Sequence, residues 1–378
     1  MTVKRLAVLA KVNPDDIQGW SGLPYHMTAE LRRRFETVDC FYPPPVRARR
    51  LRRKIAVLRE HLTGRRSIMG MNKLEFRARA RSVARQIRRS NPDLVFVIGI
   101  DNIAAHLDLD IPIVYHSDAT FAVMRDYYPG FSSLTNRSAA LGDECARRII
   151  QRAKLKIYPS DWSAQSAIND YNAPPDTVIT IPYGANIASP PTRHEATSDK
   201  PRDCCHLLMI GGNWHRKGGD IAVQTAEELD RRGVPCELSV IGQCPVDHPL
   251  VNAIGFLNKN SSKEYKQYLE LWSRAHFFIL PTIAECFGMV FAEAAAWGVP
   301  SISTDTGGIP SAIENNRTGV LLPIGASPEN YADTIEQIWN DKNAYRAMVT
   351  NTRDRYESTL NWSAWGEKAE EFIRTHIP

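Results

Sequence analysis

The amino-acid sequence predicts an α/β protein built from two parallel sheets, and three observations support this prediction. Short runs rich in β-branched residues alternate with longer stretches of helical periodicity, a pattern typical of βαβ units. Several of the runs are apolar throughout, as expected of strands covered on both faces. A segment rich in Pro, Ser, Thr and charge, 185–203, has no apolar period and divides the alternation into two halves.

The alternation predicts five strands in each half. The predicted strands span 6–10, 94–99, 113–116, 156–159 and 178–182, then 207–211, 237–242, 277–281, 301–304 and 319–322. The expected architecture is two Rossmann-like domains facing each other across a cleft, with ligands at the carboxyl ends of the strands. The predicted boundaries are a first domain at 1–184, a linker at 185–203, a second domain at 204–357 and a C-terminal helix within 358–378 that packs back towards the first domain.

The composition indicates a globular chain. It is 43% hydrophobic and 24% charged, and no stretch approaches the roughly 20 apolar residues that span a bilayer. The opening MTVKRLAVLAKVNPDD turns polar too early for a signal peptide, and its run LAVLA is expected to be the first buried strand. Seven scattered cysteines without a CxxC pair favour neither zinc nor a disulfide framework, and they fit a reducing cytoplasm.

The net charge of +5 conceals an asymmetry between the halves. Residues 1–190 contain 29 Lys and Arg against 18 Asp and Glu, whereas the remainder contains 18 against 24. The basic residues are densest in RARRLRRK at 47–54 and between Arg77 and Arg89. Such a face either attracts an anionic membrane, a phosphorylated acceptor or nucleic acid, or is simply a solvated helix face.

The segment 281–323, PTIAECFGMVFAEAAAWGVPSISTDTGGIPSAIENNRTGVLLP, carries the strongest chemical signal. A strand is followed by a loop with Glu285, and a helix that contains Glu293 runs from near Gly288 to about Trp297, where glycine and proline end it. A helix N-terminus suits an anionic ligand, and carboxylates suit the paired hydroxyls of sugars. By spacing alone, the two glutamates fit ordinary helix residues equally well.

The order of motifs in this segment resembles the signature of the GT-B glycosyltransferases of family 4. ECFGMVFAE holds two glutamates separated by seven residues, and AxxxGxP and DTGGIP follow it. The resemblance implies that Glu285 contacts the donor sugar, that Glu293 binds the ribose, and that amides around Gly288, Met289 and Val290 meet the sugar and phosphates. Relatives often carry Glu where this sequence has Ser311.

A second loop, in LLMIGGNWHRKGGDIAVQTAEEL at 207–229, places two cations before a helix that opens at Gly218-Gly219. Cations beside a helix N-terminus form a plausible diphosphate clamp, although a basic surface turn would look the same. The loop resembles the phosphate-binding strand of the family, which implies that Lys217 binds the donor. Because Asn213 replaces the usual arginine, Arg216 would supply the second charge.

Three further loops resemble family sites. The loop with Gly22 resembles the glycine-rich turn that faces the donor phosphate and the acceptor. His116 and Asp118, after the strand 113–116, correspond to the His or Asp that many relatives direct at the sugar, although a histidine at a strand end is often structural. Phe256 and Leu257 resemble the region that holds the base through backbone contacts.

The resemblance implies a retaining glycosyltransferase that moves a sugar from a UDP- or GDP-linked donor to a saccharide or lipid-linked hydroxyl, in polysaccharide or glycolipid biosynthesis. No acidic cluster of the DxD type stands out in a loop expected to face the cleft, so no metal and no other cofactor are expected. The protein is expected in the cytoplasm, with peripheral contact to an anionic inner membrane face and without nucleic acid. The alternatives are a sugar-nucleotide epimerase of the same architecture and a non-catalytic protein that binds membrane or nucleic acid.

Overall fold

A computed structural model describes residues 3–44, 54, 57–58, 60–67 and 72–377 of the chain. Within these residues, twelve strands form two six-stranded parallel sheets with the orders β2-β1-β3-β4-β5-β6 and β12-β11-β10-β7-β8-β9. The α/β class predicted from the sequence is therefore confirmed. The strands are β1 Arg5–Ala10, β2 Thr37–Phe41, β3 Leu94–Ile98, β4 Ile113–His116, β5 Leu155–Tyr158, β6 Val178–Thr180, β7 Cys205–Gly211, β8 Cys236–Gly242, β9 Val251–Gly255, β10 Phe277–Leu280, β11 Ser301–Thr304 and β12 Gly319–Leu322.

Helices connect most successive strands, as βαβ units require. The α-helices are Leu23–Arg34, Lys73–Ser90, Asp101–Ala104, Phe121–Met124, Asn136–Arg152, Asp161–Asn169, Arg193–Thr197, Gly219–Arg231, Ser262–Arg274, Met289–Ala296, Ile309–Ala312, Pro328–Asn340, Lys342–Ser358 and Trp362–His376. Across the described residues, none of these helices combines the length and apolarity needed to cross a membrane.

The chain forms two compact units. One comprises Met1–Ile181 with Trp365–Pro378, and the other comprises Pro182–Ala364. The segment 185–203, expected from its composition to be a linker, lies within the second unit and contains the helix Arg193–Thr197. The helix Trp362–His376 begins in the second unit and ends in the first.

All ten predicted strands are present, and the differences lie at sheet edges and strand ends. The prediction missed β2 and β9, which are edge strands with exposed or half-buried residues and therefore lack a continuous apolar run. The strands predicted to end at 99, 159, 182 and 281 run one or two residues past the observed strand ends. Gly99 leaves the strand with φ of +55°, and the other three positions are prolines, which cannot donate to the sheet.

The basic run at 47–54 lies outside the described residues except for Lys54. The second basic cluster belongs to the helix Lys73–Ser90. Its arginines at 77, 81, 85, 88 and 89 are exposed, whereas Ala80, Val83, Ala84 and Ile87 are buried in the core of the first unit.

Candidate active site

In the second sheet, strands are added on one side from β7 to β9 and on the other side from β10 to β12. This reversal of strand order, here called the direction change, lies between β7 and β10, and the loops after these two strands meet there. The peptide N–H of Ile283 donates to the carbonyl oxygen of Arg216 at 2.9 Å, and the hydroxyl of Thr282 donates to the same oxygen at 2.9 Å. Gly218 has φ of +74°, and a Cβ at this position would collide with the carbonyl of Pro281. The close approach of the two loops therefore requires glycine.

Glu285, Lys217 and Arg216 come together at this point, although about 70 positions separate the glutamate from the two cations in sequence. The Lys217 ammonium donates directly to Glu285 Oε2, and Arg216 Nη1 lies 3.4 Å from the same oxygen. Arg216 Nη1 also donates to the carbonyl of Ala284 at 2.6 Å. The side chains of Lys217 and Glu285 are 10% and 12% exposed, so solvent screens their attraction only weakly.

Gly288 precedes the helix Met289–Ala296 and has φ of +80°. A Cβ here would lie 2.6 Å from the Phe291 ring and 3.2 Å from Glu285 Cγ, so the sharp entry into the helix depends on glycine. The first amides of a helix have no intrahelical acceptor, and here they belong to Met289 and Val290, next to Glu285. Anions and polar ligands are stabilised at such an end.

Glu293 is buried in the second unit, where it is 3% exposed. Lys259 Nζ donates to Oε1 at 2.8 Å, and the Tyr268 hydroxyl donates to Oε2. Burial first, and then the charge of Glu293, raise the pKa of Tyr268 well above its ordinary value. Sequence reasoning missed Lys259 and Tyr268, because neither belongs to the segment that carries the two glutamates.

Phe256 and Leu257 directly follow β9, the edge strand beside β8. The Phe256 side chain is 72% exposed. A Cβ on Gly212 would lie 3.8 Å from its ring, so Phe256 borders the loop after β7 that carries Arg216 and Lys217.

The first unit has its own direction change, between the neighbouring strands β1 and β3. Gly22 caps the helix Leu23–Arg34 with φ of +79°, and Trp20 and Ser21 before it are also left-handed, at +48° and +57°. Gly99, after β3, leaves room for the Trp20 ring, which a Cβ would overlap. The turn with Gly22 is thus fixed by packing between the loops after β1 and β3.

His116 and Asp118 differ in exposure although they are two residues apart. His116 ends β4 with no exposed surface, and its ring lies 6.5 Å from that of Trp365. Burial lowers the pKa of His116 to about 3, so the imidazole is neutral near pH 7. Asp118 is half-buried in the loop that follows, and its carbonyl accepts from the Ser163 hydroxyl at 2.9 Å.

The part of the chain that the structure describes contains no clear metal-binding site. No group of three or more His, Cys, Asp or Glu side chains is placed there to hold an ion.

Comparisons with known proteins identify the family. Residues 194–355 match the family described as "Glycosyl transferases group 1", and residues 24–189 match "Glycosyltransferase Family 4". The chain belongs to the group 1 glycosyltransferases. Family membership agrees with the resemblance that the glutamate pair carries in the sequence.

The curated relatives of this chain include enzymes named D-inositol 3-phosphate glycosyltransferase. The one from Corynebacterium diphtheriae is 23% identical over 69% of this chain and 64% of its own length, and the one from Arthrobacter sp. (strain FB24) is 29% identical over 51% and 49%. The chain thus spans less than two thirds of the length of these relatives.

Solved structures similar to this chain show that it has the GT-B fold. The sucrose-phosphate synthase of Thermosynechococcus elongatus has a TM-score of 0.68 at 16% identity, with 98% of each chain covered. Anabaena Alr3699/HepE, in complex with UDP and glucose, has a TM-score of 0.65 at 14% identity and covers 98% of this chain and 100% of its own.

Proposed function

We propose that the protein is a retaining glycosyltransferase that transfers a sugar from a UDP- or GDP-linked donor to a hydroxyl acceptor. The observation that carries this proposal is the contact of Glu285 with Lys217 and Arg216 at the direction change of the second sheet. Ligands of open α/β sheets bind at such a point. A carboxylate for sugar hydroxyls and two cations for phosphates form a matched set for a nucleotide sugar.

Lys217 and Arg216 are proposed to bind the diphosphate, together with the amides that open the helix at Met289 and Val290. In the structure both cations are directed at one carboxylate oxygen. A bound diphosphate would share them, because a cation with several donors serves two anions at once. Glu285 would then accept from the sugar hydroxyls, beside the helix entry that Gly288 forms.

Glu293 is proposed to bind the ribose of the nucleotide. Its carboxylate is held by Lys259 and Tyr268, and a carboxylate oxygen can accept more than one hydrogen bond, so a diol can join these two donors. Phe256 and Leu257 are proposed to hold the base, and the exposure of the Phe256 ring supports this role.

The first unit is proposed to bind the acceptor. Asp118 is half-buried and can orient a hydroxyl, and the turn at Gly22 can approach a phosphate closely. His116 would act through the position of this loop, because its own side chain is buried. We also propose that residues 185–203 link the first domain to a second domain at 204–357.

A front-face reaction fits these assignments better than a covalent intermediate, because Glu293 would be occupied by the ribose and no second carboxylate is assigned beside Glu285. The bond between the anomeric carbon and the diphosphate oxygen breaks, and the acceptor oxygen bonds to the same face of that carbon. The departing diphosphate takes the acceptor proton, while Lys217 and Arg216 stabilise its negative charge.

Donor turnover tests the proposal. Purified protein is incubated with UDP- and GDP-sugars, alone and with acceptors that include D-inositol 3-phosphate, after which relatives are named. We expect nucleotide release from one donor, a glycoside of unchanged anomeric configuration by NMR, and loss of both in Glu285→Ala. The control is Glu270→Ala, because Glu270 is 61% exposed. No turnover or binding with any donor contradicts the proposal.

A peripheral position on an anionic inner membrane face, with a lipid-linked acceptor in glycolipid or polysaccharide biosynthesis, is a separate proposal. Leu58, Leu62 and Leu74 of the first unit are 61%, 76% and 74% exposed, close in sequence to the basic run at 47–54. Apolar side chains beside basic ones suit such a surface. Flotation with anionic liposomes at low salt tests it, and protein that stays at the bottom of the gradient contradicts it.

A further inference from the structure

A groove lined by arginines lies between two helices of the first unit, Lys73–Ser90 and Asn136–Arg152. Its volume is about 670 Å³. Each helix contributes two arginines one turn apart, and the helix Asn136–Arg152 also contributes Gln151. Residues 105–108, before β4, complete the lining. The arginines are Arg77, Arg81, Arg148 and Arg152.

A buried apolar cluster connects the elements that line the groove. Phe76, Ala105, Leu141 and Cys145 form a buried cluster that joins both helices to the loop before β4. The ring of His106 stacks on that of Phe76, with centroids 6.4 Å apart. The positions of the arginines along both helices are therefore fixed by the core beneath them.

The positive charge of the groove is poorly compensated. Arg77 and Arg81 have no acidic partner among the described residues, and Arg148 shares the carboxylate of Glu144 with Lys73. Asp108, the acidic residue in the lining, is paired with Arg88. Like charges one helical turn apart repel each other, so this arrangement costs stability unless an anion is bound.

His106, which also lines the groove, adds a polar atom that lacks a hydrogen-bond partner among the described residues. Its Nε2 atom is buried and has no hydrogen-bond partner within the described part of the chain. Burial first, and then the charges of Arg148 and Arg77, lower the pKa of His106. Buried polar atoms normally have a hydrogen-bond partner. An anion that accepts from Nε2, or a hydroxyl group of that anion, would supply the missing partner.

We propose that this groove binds a ligand that carries phosphate groups, such as a diphosphate or a phosphorylated metabolite. Guanidinium groups bind phosphate oxygens in pairs, and two arginines on each side can hold two phosphates. None of the residues in the lining belongs to the loops that carry Gly22, His116 or Asp118, so the site is additional to the proposed acceptor site.

Titration calorimetry with inorganic pyrophosphate tests the site. The full chain carries Lys217→Ala, which weakens the proposed donor site of the second unit. We expect Arg77→Gln with Arg148→Gln to raise the Kd of pyrophosphate by about tenfold or more, the size of a lost charge-assisted hydrogen bond. The control pair, Arg85→Gln with Arg89→Gln, removes two exposed arginines of the first helix that do not line the groove, and we expect its Kd to stay within about twofold.

Vesicles distinguish a lipid phosphate from a soluble one. Phosphatidylcholine vesicles with and without phosphatidic acid are sedimented with the same variants. The groove pair is the variant with Arg77→Gln and Arg148→Gln. If it loses binding to phosphatidic acid and also binds pyrophosphate more weakly, the ligand is a lipid phosphate. If it loses only pyrophosphate binding, the ligand is a soluble phosphate. The proposal is overturned if the parent chain binds no pyrophosphate at low salt, or if the groove pair leaves the Kd of pyrophosphate unchanged or weakens it no more than the control pair does.

Discussion

The loops at the direction change of each sheet are held together by different physical means. In the second unit, Glu285 binds Lys217 and Arg216 between the loops that follow β10 and β7. In the first unit, the Trp20 ring fills the space above Gly99, between the loops after β1 and β3. One junction is built from charge and the other from packing.

The strand orders explain where these junctions form. The second sheet has the order of a dinucleotide-binding Rossmann fold, which places the direction change between its first and fourth strands, β7 and β10. The first sheet has the flavodoxin-like order, in which β1 and β3 are neighbours. Equivalent positions in the two sheets can therefore serve different purposes. The charged junction suits the binding of a charged ligand, whereas the packed junction holds the turn at Gly22 in place.

The largest effect is expected from Lys217→Ala, which removes the direct cation of the charged junction. We expect kcat to fall by about 10²–10³-fold, the range found when one donor to a developing anion is removed. Steady-state nucleotide release measures the loss. Lys266→Ala is the matched control, because Lys266 is 81% exposed on a helix of the same unit. Equal rates for Lys217→Ala and the control would remove Lys217 from the proposed mechanism.

A smaller effect, on donor affinity, is expected at the second glutamate. Tyr268→Phe removes one donor to Glu293 and leaves Lys259 in place, so we expect the KM for the donor to rise by about tenfold, with kcat changed less. Glu293→Ala should raise KM further, because it also removes the acceptor of the ribose hydroxyls. Initial rates at varied donor concentration separate kcat from KM, and a change in kcat alone would contradict a role in ribose binding.

The sequence predicted the strands and the two glutamates of the charged junction, but not the contacts that form either junction. Apolar runs and glycine or proline stops predicted every strand of the two sheet centres, and the 281–323 motif order singled out Glu285 and Glu293. The contact between Glu285 and Lys217 was beyond local patterns, because it depends on strand order, which brings together residues about 70 positions apart. The burial of His116 was likewise not readable, since a polar residue at a strand end looks the same whether it is buried or exposed.

Lys259, Tyr268 and Trp20 escaped prediction for a related reason. Each acts through a single long side chain that reaches a neighbouring element, and such a contact leaves no periodicity in the sequence. A tyrosine on a helix is most simply part of the core, and only the three-dimensional structure shows its hydroxyl at Glu293.

The packed junction can be broken by Gly99→Ala. The new methyl group would overlap the Trp20 ring at a position with φ of +55°, so overpacking and backbone strain act together. We expect the free energy of unfolding of the first unit to fall by about 1–3 kcal/mol in urea titrations. Gly130→Ala is the control, because a Cβ there meets nothing within 4 Å. If both variants unfold at the same urea concentration, the ring does not fill the space above Gly99.

The smallest effect concerns pH, and it tests whether the two units respond alike. His116 in the first unit and His276 in the second each have a pKa lowered to about 3, chiefly by burial, against 6.5 for the ordinary group. Between about pH 6.5 and pH 3 the unfolded chain binds a proton at each position that the folded chain does not bind. Stability is therefore complete above pH 6.5 and falls with decreasing pH by up to about 1.4 kcal/mol per pH unit for each histidine. His116→Gln should remove this slope from the first unit alone, and urea unfolding at pH 5 and pH 7 measures it. An unchanged slope would mean that His116 is protonated in the folded state, which would place its charge within reach of solvent.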